Sequence, residues 1–159
     1  MTGYRIRSLK SDEMGQLTEL RTAFMQDPVG TNLEFVPDAQ PTLRWQEYVR
    51  KHLEEDPRQV LVADDGKRLV GYLLYKTRSD FPITRRYPYA TISDIYVMPG
   101  YRRRGMATGL METCLRHLRE AGVTHVRIRV LAGNEPATSL YKKFGFLTHE
   151  LIMELELSS

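Results

Sequence analysis

A short run of residues, Arg102-Arg103-Arg104-Gly105-Met106-Ala107-Thr108, follows a β-rich segment that ends Tyr96-Val97-Met98-Pro99-Gly100-Tyr101. A strand that turns on Gly and Arg and then opens a helix leaves the first N–H groups of that helix unsatisfied, with a partial positive charge. Small residues at Gly105 and Ala107 would let a phosphate approach those amides closely. The arginines could add charge, and the Thr108 hydroxyl a further donor. The same residues also suit a sharp strand-to-helix turn with Arg in solvent, so the run alone leaves both readings open. It is neither a Walker loop, since no Gly-Lys-Ser/Thr follows, nor the dinucleotide G-x-G-x-x-G.

A second run extends from Gly133 to Phe146. Asn134 is placed to cap a helix with Pro136 in its first turn, and Gly145 sits where a C′ glycine ends one. Ala137, Leu140, Tyr141 and Phe144 recur at helical spacing on one apolar face, where Tyr141 taken alone reads as a core aromatic.

The elements that must carry these runs are legible from periodicity. Tyr4 to Arg7 alternates like a short strand, and Ser11-Asp12-Glu13 precedes an apolar stripe of Met14, Leu17, Leu20, Ala23 and Phe24 that ends at Asp27-Pro28. Pro28 to Pro41 reads as a long loop. A second helix carries Leu43, Trp45, Tyr48, Val49 and Leu53 until Asp56-Pro57. Val60–Ala63 and Leu69–Tyr75 flank a Gly-containing turn as a hairpin, and an irregular stretch from Ser79 to Pro88 leads to a strand at Tyr89–Val97. A third helix runs from about Arg104 to Ala121-Gly122, followed by a strand at Thr124–Leu131 and a short helix at Pro136–Phe144. Phe146–Thr148 and Leu151–Leu157 read as a terminal hairpin. This order predicts an α/β fold, a mixed sheet with helices on both faces. Its right-handed crossover makes strands 89–97 and 124–131 parallel.

Composition sets the outer bounds. A chain of 159 residues, 42% hydrophobic and 27% charged, fits one globular domain spanning 1–159. No charge-free run approaches the ~18 apolar residues of a membrane span. The N-terminus carries no apolar stretch resembling a signal peptide, so a soluble, cytoplasmic protein is expected. The single cysteine excludes an internal disulfide and a Cys-based zinc cluster, and no metal site is expected. The net charge of +3 is uneven, because the ten Arg from Arg78 to Arg129 face only four acids, Asp80, Asp94, Glu112 and Glu120. Such an excess raises the possibility of an anionic partner. Nucleic acid is a poor candidate, because those Arg are divided among loop, turn, helix and strand rather than forming one stripe with interleaved aromatics.

Taken together, the two runs resemble the GNAT superfamily of acyl-CoA-dependent N-acyltransferases. Arg102-Arg103-Arg104-Gly105-Met106-Ala107 matches its Q/R-x-x-G-x-G/A signature. Asn134 to Phe146 matches N-x-x-A-x-x-L-Y-x-K-x-G-F about thirty residues later, and the element order fits nearly the whole chain. The resemblance implies a mostly antiparallel sheet with a central parallel pair, strands 89–97 and 124–131, splayed where pantetheine inserts. It implies that the amides from Arg103 to Thr108 hold the pyrophosphate of acetyl-CoA, with Arg102 and Arg104 in the same segment. Val97 N–H would bond the thioester carbonyl in an oxyanion role, Asn134 would contact the cofactor, and Tyr141 would protonate the departing thiolate. A direct transfer holds amine and thioester together without a covalent enzyme intermediate. Cys114, mid-helix on an apolar face, suits that scheme as an inert core residue. Asp94, the only acid between Asp80 and Glu112, is the candidate general base, or else the ion-pair partner of a nearby Arg. Many relatives carry Glu at the neighbouring position, which here is Ser93, so the family pattern supports Asp94 only in part.

The fold leads us to expect the acceptor between the loop 28–41 (Glu34, Phe35, Asp38), the connection 79–88 (Phe81, Arg85, Arg86, Tyr87) and a shortened final hairpin. The implied activity is acetyl transfer from acetyl-CoA to the primary amine of a small molecule. A protein or peptide N-terminus or lysine is the alternative acceptor, and a non-catalytic acyl-CoA sensor is the alternative class. A homodimer is a further possibility.

Overall fold

Residues 3–27, 41–78 and 88–158 are described by the computed structural model. The expected loops at 28–41 and 79–88 therefore lie almost wholly outside the described residues, with Glu34, Phe35, Asp38, Phe81, Arg85, Arg86 and Tyr87. The chain groups into two compact units, Met1–Arg129 and Val130–Ser159.

The first unit holds strands β1 (Arg5–Ser8), β2 (Val60–Asp64), β3 (Leu69–Arg78), β4 (Tyr89–Val97) and β5 (His125–Ile128), with helices α1 (Met14–Gln26), α2 (Pro41–Glu55) and α3 (Met106–Glu120). The strands form one sheet in sequence order. The first four are antiparallel, and β4 pairs β5 in parallel, as the crossover rule requires. Period-2 alternation splits the buried side chains between two faces. Val60, Val62, Tyr72, Leu74 and Tyr96 cluster with Leu17 and Leu20 of α1 and Val49 of α2. By the same alternation Leu61, Ala63, Leu73 and Tyr75 point the other way, where α3 contacts β2, β3 and β4 and buries Leu110, Met111, Cys114 and Leu118. Each such side chain contributes about 1.5–3 kcal/mol when fully removed from water. Arg7 locks β1 to its neighbours, donating to Glu13 at 2.6 Å and to Asp64 at 2.9 Å. The Arg7 hydrogen bond holds the Glu13 carboxyl below its ordinary range.

The β4–β5 ladder is only four residues long, Tyr89↔His125 to Ile92↔Ile128. It stops where β4 changes register on β3, from Tyr75↔Ile92 to Leu74↔Asp94, which leaves Ser93 as an extra, unpaired residue. A bulge of this kind bends its strand and terminates pairing. Strand β5 therefore ends at Ile128 rather than at Leu131.

In the second unit, α4 (Glu135–Lys143) begins where Asn134 Oδ1 accepts the Ala137 N–H at 3.2 Å. It ends in a left-handed Gly145, φ 95°, with Gly145 N–H donating to Lys142 O and Phe146 N–H to Tyr141 O. The predicted terminal hairpin does not form. Residues 147–158 carry no strand, and Leu151, Ile152, Met153, Leu155 and Leu157 are exposed. Alternation specifies which residues would share a face but supplies no partner, and an isolated two-stranded hairpin is marginal in water.

Candidate active site

Beyond Ile92 the β5-facing edge of β4 has no strand partner among the described residues. Met98 N–H donates to Val70 O at 2.9 Å, and the register pairs Gly71 with Val97 and Tyr72 with Tyr96. In an antiparallel ladder hydrogen-bonded and non-bonded pairs alternate, so Tyr96 and Met98 bond β3 while Val97 turns its N–H and C=O to the open side. The strand thus turns the N–H groups of Ile95 and Val97 to the open side, Val97 being the one next to the turn. The Tyr96–Val97 peptide is also fitted tightly from behind. A Cβ at Gly71 would stand 2.9 Å from Tyr96 O and 3.2 Å from Val97 Cγ2.

After Val97 the chain makes a single 3₁₀ turn at Pro99–Tyr101 and reverses into α3. Two left-handed residues build that reversal, Arg103 at φ 63° and Gly105 at φ 81°. A non-glycine residue there costs roughly 1 kcal/mol or more, whereas glycine adopts it without a Cβ penalty. Gly105 O accepts the first helical bond, from Gly109 N–H at 2.8 Å. The N–H groups of Met106, Ala107 and Thr108 precede that bond and have no carbonyl of their own helix to reach. These amides and the open β4 edge fit an acyl-CoA, whose phosphates need donors and whose thioester needs one more. The Arg102 side chain reaches back to β4 and to the end of α1. Its Nε donates to Val97 O at 2.8 Å and its Nη2 to Asp27 at 2.8 Å. The guanidinium groups of Arg68 and Arg104 lie 5.9 and 5.4 Å from the Tyr101 ring centroid.

Asp94 sits on the α1/α2 face of β4. Its Oδ2 accepts from Arg21 Nη1 at 2.8 Å and from the Tyr72 hydroxyl at 3.1 Å. Arg21 in turn stacks over Trp45 and Phe24, at 5.5 and 5.9 Å. Burial pushes the Tyr72 phenol well up, so it stays protonated and donates. Beside this group the Tyr48 hydroxyl meets Ser93 Oγ at 3.0 Å. The carboxylate thus pairs with Arg21 through one oxygen, beside an aromatic wall.

Of the predicted site residues, Asp94, Val97 and the run Arg102–Thr108 share one strand–turn–helix of the first unit, while Asn134 and Tyr141 share α4 of the second. Tyr141 is buried, its ring 5.9 Å from that of Phe146, and burial pushes its phenol up to about 12. Cys114 is fully buried with its thiol pushed up to about 12 by desolvation, as expected of an inert core residue. Sequence reasoning passed over Arg21, Tyr72 and Gly71. Arg21 falls beside Leu17 and Phe24 on the sheet-facing stripe of α1, and a cation there signals a buried acid. Gly71 interrupts an apolar strand, the signal of a close backbone approach. Among the described residues no cluster of His, Cys, Asp and Glu could hold a metal ion, and no helix is long and apolar enough to cross a membrane.

Comparison with known proteins agrees with this geometry. The profile of the acetyltransferase (GNAT) family matches residues 17–146. The N-alpha-acetyltransferase of Sulfurisphaera tokodaii is 26% identical over 148 residues, which span 90% of this chain and 80% of that protein. The mycothiol acetyltransferase of Corynebacterium glutamicum is 34% identical over 94 residues, 57% of this chain but only 29% of that protein. In fold, the chain superposes on the aminoglycoside N-acetyltransferase AAC(6')-Iy in complex with CoA with a TM-score of 0.74. That match has 16% identity and covers 98% of this chain and 95% of that one. With its family profile, its parallel β4–β5 pair and its strand–turn–helix all in agreement, the chain belongs to the GNAT acetyltransferase family, acyltransferases that draw the acetyl group from acetyl-CoA.

Proposed function

We propose that the protein transfers the acetyl group of acetyl-CoA directly to a primary amine, with the chemistry at the open edge of β4. The observation that carries this reading is the Val97 N–H, unpaired among the described residues and turned to the gap one short turn before the first amides of α3, Met106–Thr108. Those amides, with Arg103, Arg104 and Gly105 around them, bind the pyrophosphate. Val97 N–H receives the thioester carbonyl oxygen as it gains charge, an interaction worth more in the transition state than in the ground state. Acetyl-CoA supplies an activated acyl group: as the amine nitrogen bonds the carbonyl carbon and the C–S bond breaks, CoA leaves as a thiolate, and Tyr141, protonated throughout the physiological range, gives that thiolate a proton. Asn134 contacts the cofactor with the part of its side chain not used to cap α4. Asp94 receives the acceptor ammonium or its proton on its second oxygen, its first being held by Arg21 and Tyr72. A cytoplasmic setting belongs to the same reading.

The acceptor is a small-molecule amine. One observation favours a second acceptor class, the α-amine of a peptide: the Sulfurisphaera relative matched over nine-tenths of this chain is an N-alpha-acetyltransferase. A thermal-shift titration with acetyl-CoA, followed by loss of thioester absorbance over a panel of polyamines, amino acids, aminoglycosides and N-terminal peptides, tests both. Turnover restricted to peptides transfers the assignment to the second class. Stabilisation by acetyl-CoA without turnover on any amine makes the protein an acyl-CoA sensor.

A further inference from the structure

In a continuous sheet both polar groups of Val97 would be taken by the next strand. Here β5 leaves the ladder at Ile92↔Ile128, and among the described residues only one of them is replaced. Arg102 Nε donates to Val97 O at 2.8 Å, while the N–H of the same residue keeps facing the gap. The guanidinium is not a roaming surface charge, although its side chain is 42% exposed. Asp27, at 10% exposure, holds Nη2 at 2.8 Å, and the ring of Tyr96 lies 5.5 Å beneath its central carbon.

We propose that Arg102 is a positioning residue for acyl transfer, capping the Val97 carbonyl in place of a strand partner so that only the N–H meets the acyl oxygen. The proposal rests on Val97 N–H being the donor to that oxygen. A bare carbonyl at this edge would point its negative end into the region where the thioester oxygen gains charge, and would draw water into the gap. The guanidinium removes both effects and adds a positive charge on the same side. The alternative is a phosphate ligand, as the position of Arg102 in the signature implies. The two roles separate kinetically. A phosphate contact acts in the bound ground state and appears in affinity, whereas a cap acts as charge develops at the carbonyl and appears in kcat.

The test compares wild type with Arg102→Met, which deletes the donor, and Arg102→Gln, which keeps a single neutral donor. Three readouts apply: the Kd for CoA by calorimetry, the carbon-13 resonance of the carbonyl of bound [1-¹³C]acetyl-CoA, and kcat at saturating acetyl-CoA. Arg102→Met should hold CoA within about threefold, return the carbonyl resonance toward its free value, and lower kcat by about tenfold or more. Arg102→Gln should recover most of both losses. If Arg102→Met instead weakens CoA about tenfold while resonance and kcat stay put, Arg102 is a phosphate ligand. If none of the three readouts moves, it is a bystander; either result overturns the proposal. A wild-type carbonyl that resonates at its free value refutes the Val97 reading itself, a different failure visible before any variant is made. Should Arg102→Met not fold, Arg102→Gln against Asp27→Asn decides. Loss of the Asp27 anchor with the Nε donor retained should leave the resonance near wild type.

Discussion

The tightest point behind the proposed oxyanion donor is Gly71, and Gly71→Ala tests that donor without touching any group that could bind substrate. The new methyl would stand 2.9 Å from Tyr96 O. Carbon–oxygen contacts settle near 3.3–3.6 Å, so the two strands must part by about 0.4 Å at this point. Tyr96 O points toward β3, so its displacement drives the Tyr96–Val97 peptide toward the gap, where the thioester carbonyl must sit. The ladder on either side, Tyr72↔Tyr96 and Met98 N–H to Val70 O, resists a wider opening and concentrates the movement in this peptide. Overpacking of this kind costs about 1–3 kcal/mol, or roughly 2–10 °C in Tm for a chain of this size. Deleting an oxyanion donor outright costs about 10²–10³ in kcat, and misplacing one by a few tenths of an ångström should cost about tenfold. Calorimetry of CoA binding, melting curves and kcat at saturating acetyl-CoA separate the terms: lower Tm, lower kcat, unchanged CoA affinity. A Gly71→Ala protein with depressed Tm and full kcat would mean that the Val97 amide does not act on the acyl oxygen.

Three further perturbations test the proposed roles. Tyr141→Phe should lower kcat by about 10²-fold with CoA affinity intact; because its phenol titrates only at about 12, no activity loss from this group should appear near pH 10, and an alkaline limb there would remove Tyr141 as the proton donor. Asp94→Asn should reduce acceptor turnover and strand the Arg21 guanidinium. A double-mutant cycle with Arg21→Met should give a coupling of about 1–3 kcal/mol in stability, and additive effects would deny the ion pair its role. Burial raises the titration of Tyr72, Tyr75, Tyr96, Tyr141 and Cys114, so the folded chain keeps protons that the unfolded chain releases. Their contribution is full below the unfolded values near 9 for thiol and 10 for phenol, and is lost as pH rises toward the folded ones. Each group lowers stability by about 1.4 kcal/mol per pH unit in that window, so Tm should hold to about pH 8.5 and fall steeply above it. A flat Tm to pH 11 would contradict the burial of these phenols.

The elements that carry the candidate site were largely legible in the sequence. Gly105 and Asn134 declare helix starts through backbone needs that few residue types satisfy, and the strand boundaries at Tyr89 and Val97 follow from alternation and the Pro99-Gly100 break. The side-chain destination of Arg102 was not legible, because a long flexible cation can reach a phosphate or its own backbone from one position. The terminal segment misled for a related reason. Leu151, Met153, Leu155 and Leu157 alternate as a strand should, but a strand exists only where a ladder receives it.

Local structure, then, was decided by the sequence: where helices begin, which faces are apolar, and that Cys114 lies in the core. These depend on neighbours within a turn or two of chain, so residue order is sufficient to read them. Tertiary structure alone decided what meets across the sheet. The Ser93 bulge ends the β4–β5 ladder and leaves Val97 N–H unclaimed, Gly71 presses the peptide that carries it, and Arg21, far away in sequence, engages Asp94. Such contacts depend on register and packing between distant segments, which a periodicity of two or 3.6 residues does not encode.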